Sequence, residues 1–218
     1  MLGCFRCRGK GPFAGVSRDS SAHDEGADRG ADAGSGSGVR VRPVLVVIVA
    51  FLLVAAASAY TAVVRPATDA VSPGSPADAV VALAGPVRSV EAAQRLVEQG
   101  VARELVLSNA YGPDDAELNR LCTSPPPGYR ITCFVPDPDS TRGEARAIRK
   151  LARERGWNDV IVVTPTFHIS RARLILRRCY SGRLRMVDAK AHISPSLWAY
   201  SLLYQPAAFV KAAVLRGC

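Results

Sequence analysis

Two stretches of the chain combine ionisable and hydroxyl side chains at spacings that suit proton transfer and anion binding. The first is VTPTFHISRAR, residues 163–173, in which Thr164, Thr166, His168 and Arg171 follow the apolar run DVIVV. His168 and Arg171 stand three apart, so on the first turn of a helix they share a face. An imidazole titrates near neutral pH and can act as a general acid or base. A guanidinium beside it can hold an anionic group. The second stretch is TRGE, residues 141–144. Its Thr141 and Glu144 fit a capping box, in which hydroxyl and carboxylate satisfy orphan N–H groups of a first helical turn. The same carboxylate can face a crevice, so a capping role and a catalytic role are compatible.

Three further segments offer polar groups next to apolar runs. LAGPVR, residues 83–88, places Gly85 and Arg88 where backbone N–H groups and a cation could approach a phosphate at a helix start; a tight turn is the plainer use of Gly-Pro. Ser108 and Asn109 end the run ELVLSNA, and His192 in AHISPS reads as a loop histidine. Metal-ligand spacings are missing from the expected domain, and so is a nucleophile elbow.

The elements that must position these residues alternate. DAVVALAG (78–85), ELVLSNA (104–110), RITCFVP (130–136), DVIVVTP (159–165) and RLRMVDA (183–189) are short apolar runs that read as strands. Between them, SVEAAQRLVEQG (89–100), TRGEARAIRKLARERG (141–156) and ISRARLILRRC (169–179) carry apolar residues at the helical period, and an amphipathic helix is expected over about 196–215. The segment with three successive prolines between the second and third strands reads as a loop. This alternation predicts an α/β domain with a mainly parallel, five-stranded sheet covered on both faces. In such sheets the ligand crevice lies beyond the carboxyl ends of the strands. Gly85, Arg88, Ser108, Asn109, Thr141, Glu144, Thr164, His168 and Arg171 all fall at those ends.

The domain occupies only part of the 218 residues. Residues 1–42 are rich in Gly, Ala, Asp and Arg and lack the apolar side chains needed to fold, so a disordered tail is expected. Residues 44–64 carry no charge and are long enough to cross a bilayer as a helix. Its length favours an uncleaved anchor over 43–64, while ASA at 57–59 is the feature that a cleaved signal would share. A Pro- and Ser-rich linker, 65–77, leads to the domain at 78–218. Arg29, Arg40 and Arg42 precede the span and only Arg65 follows closely, which predicts a cytoplasmic N-terminus and an extracytoplasmic domain.

Cysteine placement agrees. Cys4 and Cys7 form a lone CxxC on the tail, while Cys122, Cys133, Cys179 and Cys218 fall in the part expected outside, where disulfides persist. Of the three possible connectivities, Cys122 with Cys133 and Cys179 with Cys218 is favoured; four buried thiols are the other possibility. The net charge is +9, and residues 142–190 hold 13 Lys or Arg against 4 Asp or Glu. That excess suits an anionic ligand or an anionic bilayer, or is a solvated cationic surface; nucleic acid is not an expected partner of an external domain.

The order of these motifs, with Gly85 and Arg88 after the first strand, Ser108 after the second, then TRGEA and VTPTFHISRA, resembles the DUF218 family, which includes the YdcF-like, SanA-like and ElyC-like envelope proteins. The likeness covers about residues 77–190. Where the family often has Ser-Gly-Gly after the second strand, this chain has Ser108-Asn109-Ala110. The resemblance implies a Rossmann-like three-layer fold and a role in cell-envelope, peptidoglycan or lipid-carrier homeostasis. It also implies that Gly85, Arg88, Thr141, Glu144, Thr164, His168 and Arg171 are the characteristic polar positions. It does not fix a cofactor; S-adenosylmethionine, linked to one member, would be an odd ligand outside the membrane. Two functions follow as expectations. In one, an enzyme acts on an anionic or lipid-linked envelope precursor, with Glu144 and His168 as acid/base pair and Arg88, Arg171 and the Gly85 loop on the anion. In the other, the domain binds or scaffolds without chemistry.

Overall fold

Valine, isoleucine and leucine in unbroken runs bury both faces of a strand, and this dictates the centre of the molecule. In the computed structural model, which describes residues 41–85 and 88–218, one sheet is built of β1 (Ala79–Ala82), β2 (Glu104–Ser108), β3 (Arg130–Phe134), β4 (Asp159–Thr164) and β5 (Arg183–Asp188). Strands β1, β2 and β4 are built on such runs, while β3 and β5 mix in polar and less buried residues. All neighbours are parallel and the order is β3-β2-β1-β4-β5. The helices are α1 (Val41–Val64), α2 (Val90–Glu98), α3 (Ala116–Thr123), α4 (Thr141–Arg155), α5 (Ile169–Cys179) and α6 (Pro195–Val214). Residues Arg42–Cys218 form one compact unit. The tail with Cys4 and Cys7, and Pro86 and Val87 of the LAGPVR loop, lie outside the described residues.

Strand alternation divides the core into two layers. Val81, Val106, Val160 and Val162 face Ala145 and Ile148 of α4 and Ala172 and Leu176 of α5. Val80, Leu105, Leu107, Ile161 and Val163 face Ala93 and Val97 of α2 and Leu118 of α3. The chain therefore leaves β1 toward one face and β4 toward the other. Because β1 and β4 are also neighbours, their carboxyl ends diverge and leave a crevice between them.

Several expectations need revision. The proline-rich segment contains a helix, α3, which Asp115 caps by accepting from Leu118 N at 2.9 Å. The linker, residues 65–77, is also bonded to the domain that it leads to. Asp69 exchanges bonds with Met186 of β5, N to O at 2.9 Å and Met186 N to Oδ2 at 2.7 Å. Arg185, only 3% exposed, donates to the Ser75 and Pro76 carbonyls and forks onto both Asp159 oxygens at 3.0 Å. Helix α6 is not amphipathic in the expected sense: the side chains that it buries are Ser201, Gln205 and Ala212.

Cys122 and Cys133 lie at disulfide distance, with Cα atoms 5.9 Å apart, as do Cys179 and Cys218 at 5.0 Å. Helix α1 is long and apolar enough to cross a membrane, and its apolar residues stand open, Phe51 at 70%. It meets the domain toward its carboxyl end, through Val63 beside Phe167 and the Ser170 hydroxyl donating to the Ala62 carbonyl at 2.7 Å.

Candidate functional site

A cavity of about 410 Å³ opens at the β1–β4 crevice, and Glu144, His168 and Arg171 all line it. Helix α4 delivers Glu144. Its cap is Ser140, whose hydroxyl accepts from Gly143 N at 3.3 Å, and not Thr141. The capping-box expectation fails for that reason, and both of its members are released to the site. The Glu144 carboxylate instead accepts from Ala84 N at 2.8 Å and so ties the start of α4 to the loop after β1. Gly143 lets the segment before α4 pack against the first turn of the helix: a Cβ there would run into the Pro138 carbonyl oxygen and the Asp137 backbone.

Burial sets the electrostatics of Glu144. Only 3% exposed, its carboxyl is pushed up to about 7, chiefly because the charged form loses its water. Ser108, the Ala84 N–H and Arg171 pull the other way. The Ser108 hydroxyl stands beside this carboxyl, yet it makes no hydrogen bond of ordinary geometry, so the Ala84 N–H is the donor that holds the carboxylate.

His168 is held on both sides. Nδ1 pairs with the Thr164 hydroxyl at 2.9 Å and Nε2 with the Thr141 hydroxyl at 3.2 Å. Burial, reinforced by the Arg171 cation, drives its pKa down to about 3. The ring is therefore neutral at physiological pH, with one nitrogen donating and the other accepting. Arg171 sits half-buried; its Nε donates to Gln205 Oε1 at 2.8 Å, Nη1 reaches Thr141 Oγ1 at 3.4 Å, and the guanidinium lies 5.9 Å from the Tyr204 ring centre. Desolvation lowers its pKa, opposed by Tyr204 and Glu144. A cation and a neutral imidazole thus meet at the Thr141 hydroxyl, and a protonatable carboxyl lines the same cavity.

The other expected residues sort by depth. Gly85 lines the cavity with nothing within 4 Å of a notional Cβ, which leaves its backbone open to a ligand. Thr164 is fully buried beneath His168. Ser108 and Asn109 are also buried; Asn109 Nδ2 donates to Asn119 Oδ1 at 2.8 Å, so it secures the β2–α3 connection, and Ala110 and Tyr111 form the cavity wall there. Arg88 is drawn away. It pairs with Glu117 at 2.5 Å and Glu91 at 3.2 Å on the surface and is not part of the cavity lining. His192 is exposed and stands apart from the cavity.

Sequence reasoning missed one whole wall. Tyr200, Ser201, Tyr204 and Gln205 of α6 line the cavity, and Asp139 closes its rim. Ser201 and Gln205 recur at the four-residue spacing of one helix face, the signal that could have found them. Among the described residues no group of three or more His, Cys, Asp or Glu is placed to hold a metal ion. Chemically, the arrangement can bind an anion at Arg171, with the N-terminus of α4 adding its positive end, and can move a proton at Glu144 near neutral pH. No protein-family model matches this chain, and neither a curated protein nor a solved structure is significantly similar to it.

Proposed function

We propose that this chain is a membrane-anchored, extracytoplasmic α/β protein of Rossmann-like architecture and DUF218 or YdcF-like type. In this reading it acts on a phosphorylated envelope precursor during cell-envelope biogenesis. The observation that carries the reading is a buried carboxyl with a pKa of about 7, Glu144, in one cavity with the Arg171 guanidinium. Arg171 holds the phosphoryl oxygens. Glu144 takes the proton from an incoming water or hydroxyl as its oxygen bonds to phosphorus and the bond from phosphorus to the leaving oxygen breaks. Glu144 then returns that proton to the leaving oxygen. His168, kept neutral, fixes the Thr141 hydroxyl and through it the guanidinium. The apolar α1 supports the anchor, the two cysteine pairs suit an oxidising compartment, and the arginine excess before the span supports a cytoplasmic N-terminus.

The test is turnover of polyprenyl-diphosphate and glycosyl-phosphate substrates by the full-length protein in detergent. Glu144→Gln should lower kcat by about 10²- to 10⁴-fold, the usual contribution of a positioned acid or base. Wild-type activity should rise with pH through about 7, as the carboxylate forms. Full activity in Glu144→Gln overturns the role.

A binding or scaffolding module without turnover is the second reading. It is favoured by the engagement of both His168 ring nitrogens by threonines, which leaves no free lone pair on the imidazole. Under it, Arg171→Ala abolishes ligand binding while wild type yields no product.

A further inference from the structure

Helix α6 is apolar on the wrong side. Its buried positions, Ser201, Gln205 and Ala212, follow one face, and two of the three are polar. Two residues further along the sequence means about 200° around a helix, so Leu203, Ala207, Val210 and Val214 form the opposite stripe. That stripe is open: Leu203 is 82% exposed, Val210 63% and Val214 71%. An apolar helix face ordinarily packs against something, and among the described residues nothing covers it.

The bilayer is the occupant the surroundings favour. An apolar cleft is walled by Ser58, Ala59 and Ala62 of α1 and by Pro206, Phe209 and Val210 of α6. At 1.5 Å per residue, Ser58 lies about 9 Å below the outer end of α1, the depth of the headgroup–acyl boundary. Helix α6 is therefore level with the outer edge of any bilayer that α1 spans. The domain is not free to swing away, because the Asp69 and Arg185 contacts hold residues 65–77 against it. Interfacial chemistry is present at both ends of the helix. Tyr200 and Tyr204 stack at 5.3 Å near its start, and rings of this type favour the membrane–water boundary. Around its end, Arg142 donates to the Leu215 carbonyl, Arg146 to that of Cys218, and Arg178 to those of Ala212 and Leu215, beside Lys211 and Arg216. That cationic collar complements anionic lipid headgroups.

We propose that the Leu203–Val210–Val214 face of α6 lies in the outer boundary of the bilayer and docks the domain on it. The cavity rim formed by Tyr200 and Tyr204 then sits at the lipid surface. The inference rests on the anchor reading of α1, and the experiment separates the two. Full-length protein is reconstituted into phosphatidylcholine–phosphatidylglycerol vesicles whose acyl chains carry bromine either near the headgroup or near the chain end. Tryptophan emission is compared with wild type for Leu203→Trp, Val210→Trp, Leu52→Trp in the middle of α1, and Gln99→Trp just past α2, where the chain turns to the amino end of β2, opposite the crevice. The added emission of Leu203→Trp and Val210→Trp should be lost to the shallow bromines and lie to the blue of Gln99→Trp. Leu52→Trp should respond to the deep ones. If Leu52→Trp is quenched while the α6 tryptophans behave like Gln99→Trp, the docking is wrong and the anchor stands. Blue emission without quenching would mean that another protein chain covers α6, which also overturns the proposal. An unquenched Leu52→Trp removes the anchor, and the docking with it.

Discussion

Glu144 and His168 oppose one another in pH dependence because burial penalises the charged form of each, and their charged forms lie on opposite sides of neutrality. The carboxyl is raised from 4.5 to about 7, so between those values the folded state holds a proton that the unfolded chain has released. Its contribution to stability therefore falls as pH rises. The imidazole is lowered from 6.5 to about 3, so its contribution is complete above 6.5 and is lost as pH falls toward 3. Between about 4.5 and 6.5 the two slopes offset each other, and single substitutions should expose them. Glu144→Gln should gain stability with rising pH across that interval, and His168→Gln should lose it, as read by thermal melting at a series of pH values. At pH 8 Glu144→Gln should exceed wild type by up to roughly 3 kcal/mol, since a tenfold change in proton affinity between the folded and unfolded chain is worth about 1.4 kcal/mol. An identical pH response in wild type and both variants would mean that neither group is desolvated. The residue types were legible in the sequence, because a carboxyl, an imidazole and a guanidinium at strand ends have few bland uses. Their partners were not. Thr141 reads as a cap when a chain is scanned locally, and only the fold shows Ser140 capping in its place. Arg88 reads as an anion ligand until Glu91 and Glu117 neutralise it.

Elements with strong apolar periodicity were legible almost to the residue; those held by contacts distant in sequence were not. The run DVIVV announces β4 because burial on both faces leaves no polar position. Helix α3 has one buried residue, Leu118, and so carries little pattern to recognise. Helix α6 was legible in extent, but its inward face is polar because it lines a cavity, so its pattern did not show which side faces the site. At this scale the fragile join is the α4 start, where the helix and the segment before it touch backbone to backbone at Gly143. Gly143→Ala forces Pro138 away and should cost at least about 1–3 kcal/mol, the usual toll of overpacking. It should also loosen the Asp139 rim. Gly85→Ala meets open space and should leave stability within about 0.5 kcal/mol of wild type, as surface substitutions do. Denaturant titration of the two variants checks both; equal stability would deny the close approach at α4. The Cys179–Cys218 link belongs here too. It closes a separation of 39 residues and pins the chain end whose carbonyls Arg142, Arg146 and Arg178 engage.

If α1 anchors the chain as proposed, the decisive quantity for the whole molecule is the side of the membrane on which the domain lies, because it fixes both the redox state of the cysteines and the substrates within reach. Three arginines before the span and one just after it argue for retention of the N-terminus in the cytoplasm. Both cysteine pairs in the domain argue independently for an oxidising outside. The two lines share no residue, so their agreement has weight. Thiol chemistry can read the result directly, since Cys4 and Cys7 precede the span and the other four cysteines follow it. Intact cells treated with a membrane-impermeant reductant and a bulky, impermeant maleimide should modify Cys122, Cys133, Cys179 and Cys218 and spare Cys4 and Cys7. Without the reductant the domain should stay unmodified, and after lysis all six should react once reduced. Modification of Cys4 and Cys7 in intact cells would invert the topology. The cavity would then face a reducing compartment, and an envelope precursor at the outer leaflet could no longer be its substrate.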